Sequence, residues 1–132
     1  MNYLFICNGN VARSQEAERF FNAKKTSETD TAQSAGINVK LGKPIDPSVV
    51  EVMNEIGYDV SGAERKFVTE DMATVADRIV SFKPVEELPD YLQARKEDIE
   101  LWEVPDPQHQ SIEFHRRVRD DIATRVLALV SD

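Results

Sequence analysis

The sequence predicts an α/β domain built on a mostly parallel sheet with helices on both faces. Three observations carry that reading. An unbroken apolar run, Tyr3-Leu4-Phe5-Ile6-Cys7, opens the chain, as in a central strand buried on both faces. Strand-like and helical segments then alternate to the end, which implies right-handed crossovers between parallel strands. The 132 residues fit one domain, spanning residues 1–132, with a core of its own.

Each element follows from its residues. The first strand breaks at Asn8-Gly9-Asn10, three turn-prone residues. A helix begins at Ser14, with Ala17, Phe20, Phe21 and Lys24 at helical spacing and no Gly or Pro from Gln15 to Lys25. Thr31 to Ile37 reads as a second strand ending near Gly36. Asp46 and Pro47 open the next helix as N-cap and first helical residue. Its apolar positions are Val49, Val50, Val52, Met53 and Ile56, and Gly57 stops it. Arg78 to Phe82 is a third strand and Ile99 to Val104 a fourth, with Trp102 a core residue on it. The last helix runs from about Ser111 to Val130, with Val118, Ile122, Val126 and Leu129 on one face.

Composition narrows the function. The net charge of −8, from 24 acidic and 16 basic side chains, argues against nucleic acid or an anionic membrane as a partner. An anionic substrate must then be held by a local arrangement. One cysteine excludes an internal disulfide or a multi-cysteine metal site and fits a reducing compartment. No apolar run is long enough to span a bilayer, and the N-terminus lacks signal-peptide features. A cytoplasmic location is expected. His109 and His115 have no ligand-spaced partners, so no metal or cofactor is expected, and both histidines are read as solvated or on a helix face. The Glu86-Glu87 and Lys96-Glu97-Asp98-Glu100 charges are read as surface.

The chemistry concentrates in Cys7-Asn8-Gly9-Asn10-Val11-Ala12-Arg13-Ser14. A lone cysteine is ordinarily a small buried hydrophobe, but this one ends a strand where ligands bind in parallel α/β sheets. Successive N–H groups between strand and helix can converge as an anion nest. Gly9 and Asn10 tolerate the left-handed backbone a nest requires. The helix N-terminus favours a thiolate at Cys7, and Ser14 offers the sulfur a hydroxyl. Arg13 offers a planar fork matched to two phosphate oxygens. A proton donor is needed opposite the nucleophile. Asp106, between Pro105 and Pro107 after the fourth strand, is a candidate at the same sheet edge as Cys7. The same local reading also allows a capping or loop residue there.

Taken together these residues resemble the low-molecular-weight protein tyrosine phosphatase family, which shares its fold with one class of arsenate reductases. The family loop C-x-G-N-x-C-R-S is matched by Cys7, Gly9, Asn10, Arg13 and Ser14. Ser34-Ala35-Gly36 resembles the family's S-A-G, and Asp106-Pro107 its D-P. The resemblance implies a four-stranded parallel sheet in the order 2-1-3-4, in a flavodoxin-like three-layer sandwich. It also implies a nucleophile at Cys7, a general acid and base at Asp106, and oxyanion stabilisation by Arg13 and the loop from Asn8 through Val11 and Ala12 to Ser14. Asn10, Ser14 and Ser34 would hold the loop's shape. The implied substrate is a phosphorylated protein or a small phosphate ester.

Three positions depart from the pattern. Ala12 replaces the second loop cysteine, so Cys7 has no neighbour for a protective disulfide. Gln108 and His109 replace tyrosines that wall the pocket, and Asn8 stands where an apolar residue is common. The loss of an aromatic wall weakens the case for phosphotyrosine. Gln15 resembles the arsenate reductases, so reduction of arsenate with an external small-molecule thiol is the main alternative. A phosphocarrier needs neither Arg13 nor Asp106 and fits less well.

Overall fold

The computed structural model describes residues 1–131. The opening apolar run forms strand β1 (Asn2–Cys7). Its side chains alternate across the sheet: Tyr3, Phe5 and Cys7 join one core, Leu4 and Ile6 the other, and all five are buried. β1 pairs in parallel with β2 (Thr31–Gly36) and with β3 (Arg78–Ser81), and β3 pairs with β4 (Ile99–Leu101). The order β2-β1-β3-β4 is the one the family resemblance implies. Strand order reverses at β1, so the crevice beyond its carboxyl end is where such sheets bind ligands.

The helices are α1 (Arg13–Lys24), α2 (Pro47–Asn54), α3 (Glu70–Val75), α4 (Asp90–Gln93) and α5 (Ile112–Val130). α1, α2 and α5 cover the Phe5 face, where Phe5 meets Phe21 and Trp102 at centroid distances of 6.2 and 5.8 Å. Trp102 is thus a core residue, as expected. α3 and α4 cover the opposite face through Ala73 and Leu92, packed with Leu4, Ile6 and Ile79. The result is a three-layer flavodoxin-like sandwich.

Several element ends differ from the expectation for identifiable reasons. β4 stops at Leu101, short of Val104. Trp102 N–H still reaches Ser81 O, but Val104 N–H turns back to Trp102 O, and Pro105 has no N–H to offer a ladder. β2 stops at Gly36: Ile37 N–H is shared between Cys7 O and Asn8 O, and Asn38 N–H turns to the same Asn8 O. α2 ends at Asn54, with Gly57 at φ 92°. Tyr58 N–H bonds Met53 O and Gly57 N–H bonds Asn54 O, a Schellman closure that turns Ile56 outward to 43% exposure. Leu129, expected on the buried face of α5, is partly buried. α3 and α4 are six and four residues long, too short to show a hydrophobic period. Asp46 caps α2 as read, its Oδ1 accepting Ser48 N–H at 2.9 Å.

Two buried side chains with unpartnered polar atoms, His115 and Glu16, were not foreseen. His115 is 1% exposed and its Nδ1 has no partner; it lies on a helix face, as one half of its reading had it, but on the buried face of α5, not in solvent. Its Nε2 lies 3.9 Å from Asp46 Oδ2. Glu16, in the first turn of α1, is 0% exposed with both carboxylate oxygens unpartnered. Burial pushes its carboxyl up to about 8 from an ordinary 4.5; Arg119 acts against that shift, and Asp46 and Asp120 reinforce it.

The sign of the consequence follows from proton linkage. The unfolded chain releases the Glu16 proton near pH 4.5, while the folded chain keeps it until about pH 8, so stability falls across that interval. We expect Glu16→Met to raise the melting temperature, with a gain that grows from pH 5 to pH 8 and reaches the order of a few kcal/mol. Thermal unfolding of both proteins at a series of pH values checks this. A stability difference that stays flat with pH would sink it.

Candidate active site

The site begins where β1 ends. Cys7 is 2% exposed, and the loop from Asn8 to Ala12 leads into α1, whose N-terminus has no side-chain cap. None of the loop's N–H groups from Asn8 to Arg13 donates to a protein acceptor among the described residues. Orphan amides at a helix N-terminus are an anion-binding device. Asn10 adopts the left-handed conformation at φ 54°. Gly9 does not, so of the two residues read as tolerating a left-handed backbone, Asn10 alone adopts it.

Such a loop is held by side chains instead of its own amides. Asn10 Nδ2 donates to Ser14 Oγ at 2.8 Å and Ser34 Oγ at 3.0 Å. Asn10 Oδ1 accepts Lys66 N–H at 2.8 Å and Gln15 Nε2 at 3.1 Å. Both donors and both acceptor sites of this amide are therefore used. Ser34 in turn donates to Glu18 Oε1 at 2.6 Å, and Lys66 Nζ sits 3.8 Å from the same oxygen. Ser14 Oγ lies 2.8 Å from Cys7 Sγ. A hydroxyl already accepting from Asn10 keeps its own proton for the sulfur.

Gly36 is where the backbone approaches most closely. A Cβ there would stand 2.6 Å from Asn8 O and 2.9 Å from Asn10 N. Asn8 O accepts N–H from Ile37 and Asn38, so the end of β2 presses directly on the loop.

Arg13 joins the loop to the far half of the sheet. It is 7% exposed, its Nη1 donates to Val104 O at 2.9 Å and Phe82 O at 3.5 Å, and Phe82 lies beneath the guanidinium at 5.7 Å. The fork expected to face a ligand is thus partly committed to two peptide carbonyls. Nη2 lies 3.9 Å from Asp106 Oδ2. Asp106 itself is 46% exposed, and its Oδ1 accepts Gln108 N–H at 3.0 Å. The structure therefore brings Cys7, Ser14, Arg13 and Asp106 to one edge of the sheet, with Asp106 linked through Arg13. Val11 and Ala12 are buried, Asn8 and Gly9 half-buried, and His109 exposed. Glu18 and Lys66 were missed by the sequence reading. Glu18 stands four residues after Ser14 on α1, but no local signal distinguishes it from a solvated helix charge.

The profile of the low molecular weight phosphotyrosine protein phosphatase family matches residues 2–132. The chain belongs to that family. A protein of Halobacterium salinarum, named provisionally as an arsenate reductase, is 33% identical over 131 residues, covering 97% of this chain and 89% of its own. The glutaredoxin arsenate reductase of Synechocystis is 30% identical over 133 residues, covering 97% and 95%. Among solved structures, the low molecular weight protein tyrosine phosphatase from T. tengcongensis superposes with a TM-score of 0.86 at 27% identity, covering 99% and 98%. These two sequence relatives are thus named as arsenate reductases and this structural relative as a tyrosine phosphatase.

The bracing of the loop yields a prediction. Gly36→Ala puts a methyl group against Asn8 O and Asn10 N, and backbone atoms at 2.6 and 2.9 Å must shift. We expect oxyanion binding at the loop, measured by titration with phosphate or vanadate, to weaken by about tenfold or more, equivalent to about 1.4 kcal/mol. Unchanged affinity would show that the close approach does not shape the loop.

Proposed function

We propose that the protein hydrolyses phosphate monoesters, with protein phosphotyrosine as substrate, through a cysteinyl-phosphate intermediate. The observation that carries this reading is the 2.8 Å contact between Cys7 Sγ and Ser14 Oγ at the base of a loop whose amides are unpaired. Sulfur nucleophile, unpaired amides and cation stand together there, as in-line attack on phosphorus requires.

In the first step Cys7 Sγ attacks phosphorus and forms the S–P bond while the P–O bond to the leaving group breaks. Asp106 gives its proton to the departing oxygen. Its Oδ1 is engaged by Gln108 N–H, which leaves Oδ2 for this transfer. In the second step Asp106 takes a proton from a water whose oxygen attacks phosphorus; an O–P bond forms as the S–P bond breaks, which restores the sulfur nucleophile and releases inorganic phosphate. Arg13 and the loop amides neutralise the equatorial oxygens throughout. Asn10, Ser14 and Ser34 keep the loop in shape. No step calls for a metal.

Reduction of arsenate is the second reading, favoured by the sequence relatives named as arsenate reductases and by Gln15, whose Nε2 holds Asn10. Converting arsenate to arsenite consumes two electrons, taken from two thiols that become a disulfide. The chain supplies one thiol, so a small external thiol must supply the other. Full arsenate turnover without added thiol, or none with glutathione, would remove this reading.

For the hydrolase reading, we expect Cys7→Ser to reduce aryl phosphate hydrolysis to background. Asp106→Ala should slow alkyl phosphates, which are poor leaving groups, by about 10²–10⁴-fold and activated aryl phosphates much less. Steady-state kinetics on the two substrate classes checks both. Full activity of Cys7→Ser would overturn the assignment.

A further inference from the structure

Beside the catalytic loop lie two adjoining cavities that share one wall residue, Arg65. The first, of about 330 Å³, is lined by Val11 of the loop, by Gln108 and His109 just past Asp106, and by Asp46 and His115. The second, of about 460 Å³, continues past Arg65 between Leu41, Lys43, Pro44 and Glu64. The two segments that form it are pinned together by the bridge between Pro44 and Glu64 and by Arg65 Nη2 donating to Pro44 O at 2.6 Å.

The charges along this groove are unevenly satisfied. Lys66, just outside it, is paired with Glu18. Arg65 and Lys43 have no carboxylate within ion-pair distance among the described residues, nor has Lys40 at the rim. Arg65 Nε is buried and has no hydrogen-bond partner, an arrangement that is costly unless something else accepts from it. Of the acids in the lining, Asp46 is already engaged by Ser48 N–H and faces His115. Glu64 is exposed at the edge. The Arg65 guanidinium, anchored through Nη2, lines both cavities with its charge unpaired, and a carboxylate in the groove can pair with it.

We propose that this groove binds acidic residues flanking the phosphorylated residue of a protein substrate, with Arg65 and Lys43 as the pairing groups. This rests on the phosphatase reading and adds to it a substrate class, a phosphoprotein with carboxylates beside its phosphate. The overall charge of −8 opposes such a partner at long range. Screening confines that repulsion to roughly 8–10 Å at physiological salt, whereas direct pairing acts at contact.

The test compares two peptides carrying a non-hydrolysable phosphonate analogue of phosphotyrosine, one with acidic flanks and one with neutral flanks. Affinity for the intact protein is measured by titration. The acidic peptide is expected to bind about tenfold more tightly at low salt, the effect of two well-placed exposed pairs. That advantage should shrink with added salt and fall to about a third or less in Lys43→Glu and Arg65→Gln. Lys43 is exposed and unpaired, so its charge reversal keeps the test valid should Arg65→Gln disturb the loop. Equal affinity for the two peptides, or an advantage that both variants retain, overturns the proposal. Failure of the phosphatase reading looks different: neither phosphotyrosine peptides nor aryl phosphates are hydrolysed, while the binding preference stands.

Discussion

A loop whose backbone N–H groups have no protein acceptor cannot use them to hold itself together, and the architecture around the site follows from that constraint. From Asn8 to Arg13 the amides have no protein acceptors among the described residues. Order must be imposed from outside, and Asn10 is the point of attachment. Its side-chain amide, fully bonded, ties the loop to α1 through Ser14 and Gln15, to β2 through Ser34, and to the segment before α3 through Lys66. Gly36 fits this scheme: where three segments converge on one loop, no room remains for a Cβ.

Arg13 answers a second requirement. Cys7 ends a central strand, but Asp106 follows an edge strand on the far side of β3. Arg13 spans that distance, bonded to carbonyls beyond the ends of β3 and β4 and placed beside Asp106. The guanidinium is therefore part of the scaffold that holds the two halves of the sheet edge together. A lysine, with a single ammonium, would keep the charge and lose the geometry.

The surroundings of the loop are not uniformly favourable to folding. Glu16 and His115 are buried with unpartnered atoms on the face of the sheet that also buries Cys7. Such local conflict lowers stability and is most common near functional sites. The open groove past Arg65 belongs to the same region. The unpaired polar groups of Glu16, His115 and Arg65 thus gather around the loop and the α1–α5 layer, and the α3–α4 face is a plain apolar core.

By itself the sequence determined the strand–loop–helix unit around Cys7, the alternation of elements, and the placing of Cys7 and Arg13 at the two ends of one loop. All of these arise within one turn or one strand of their own residues, where apolar period, turn chemistry and helix start signals act. The family pattern also singled out Asp106 at a distance. Tertiary structure decided the rest, because the remaining contacts join residues remote in the chain. Arg13 reaches Val104 across 91 positions, and Asn10 meets Lys66 across 56. The burial of His115 and Glu16, the outward turn of Ile56 and the early end of β4 also depend on which surfaces meet in space. A single sequence carries no local record of that encounter.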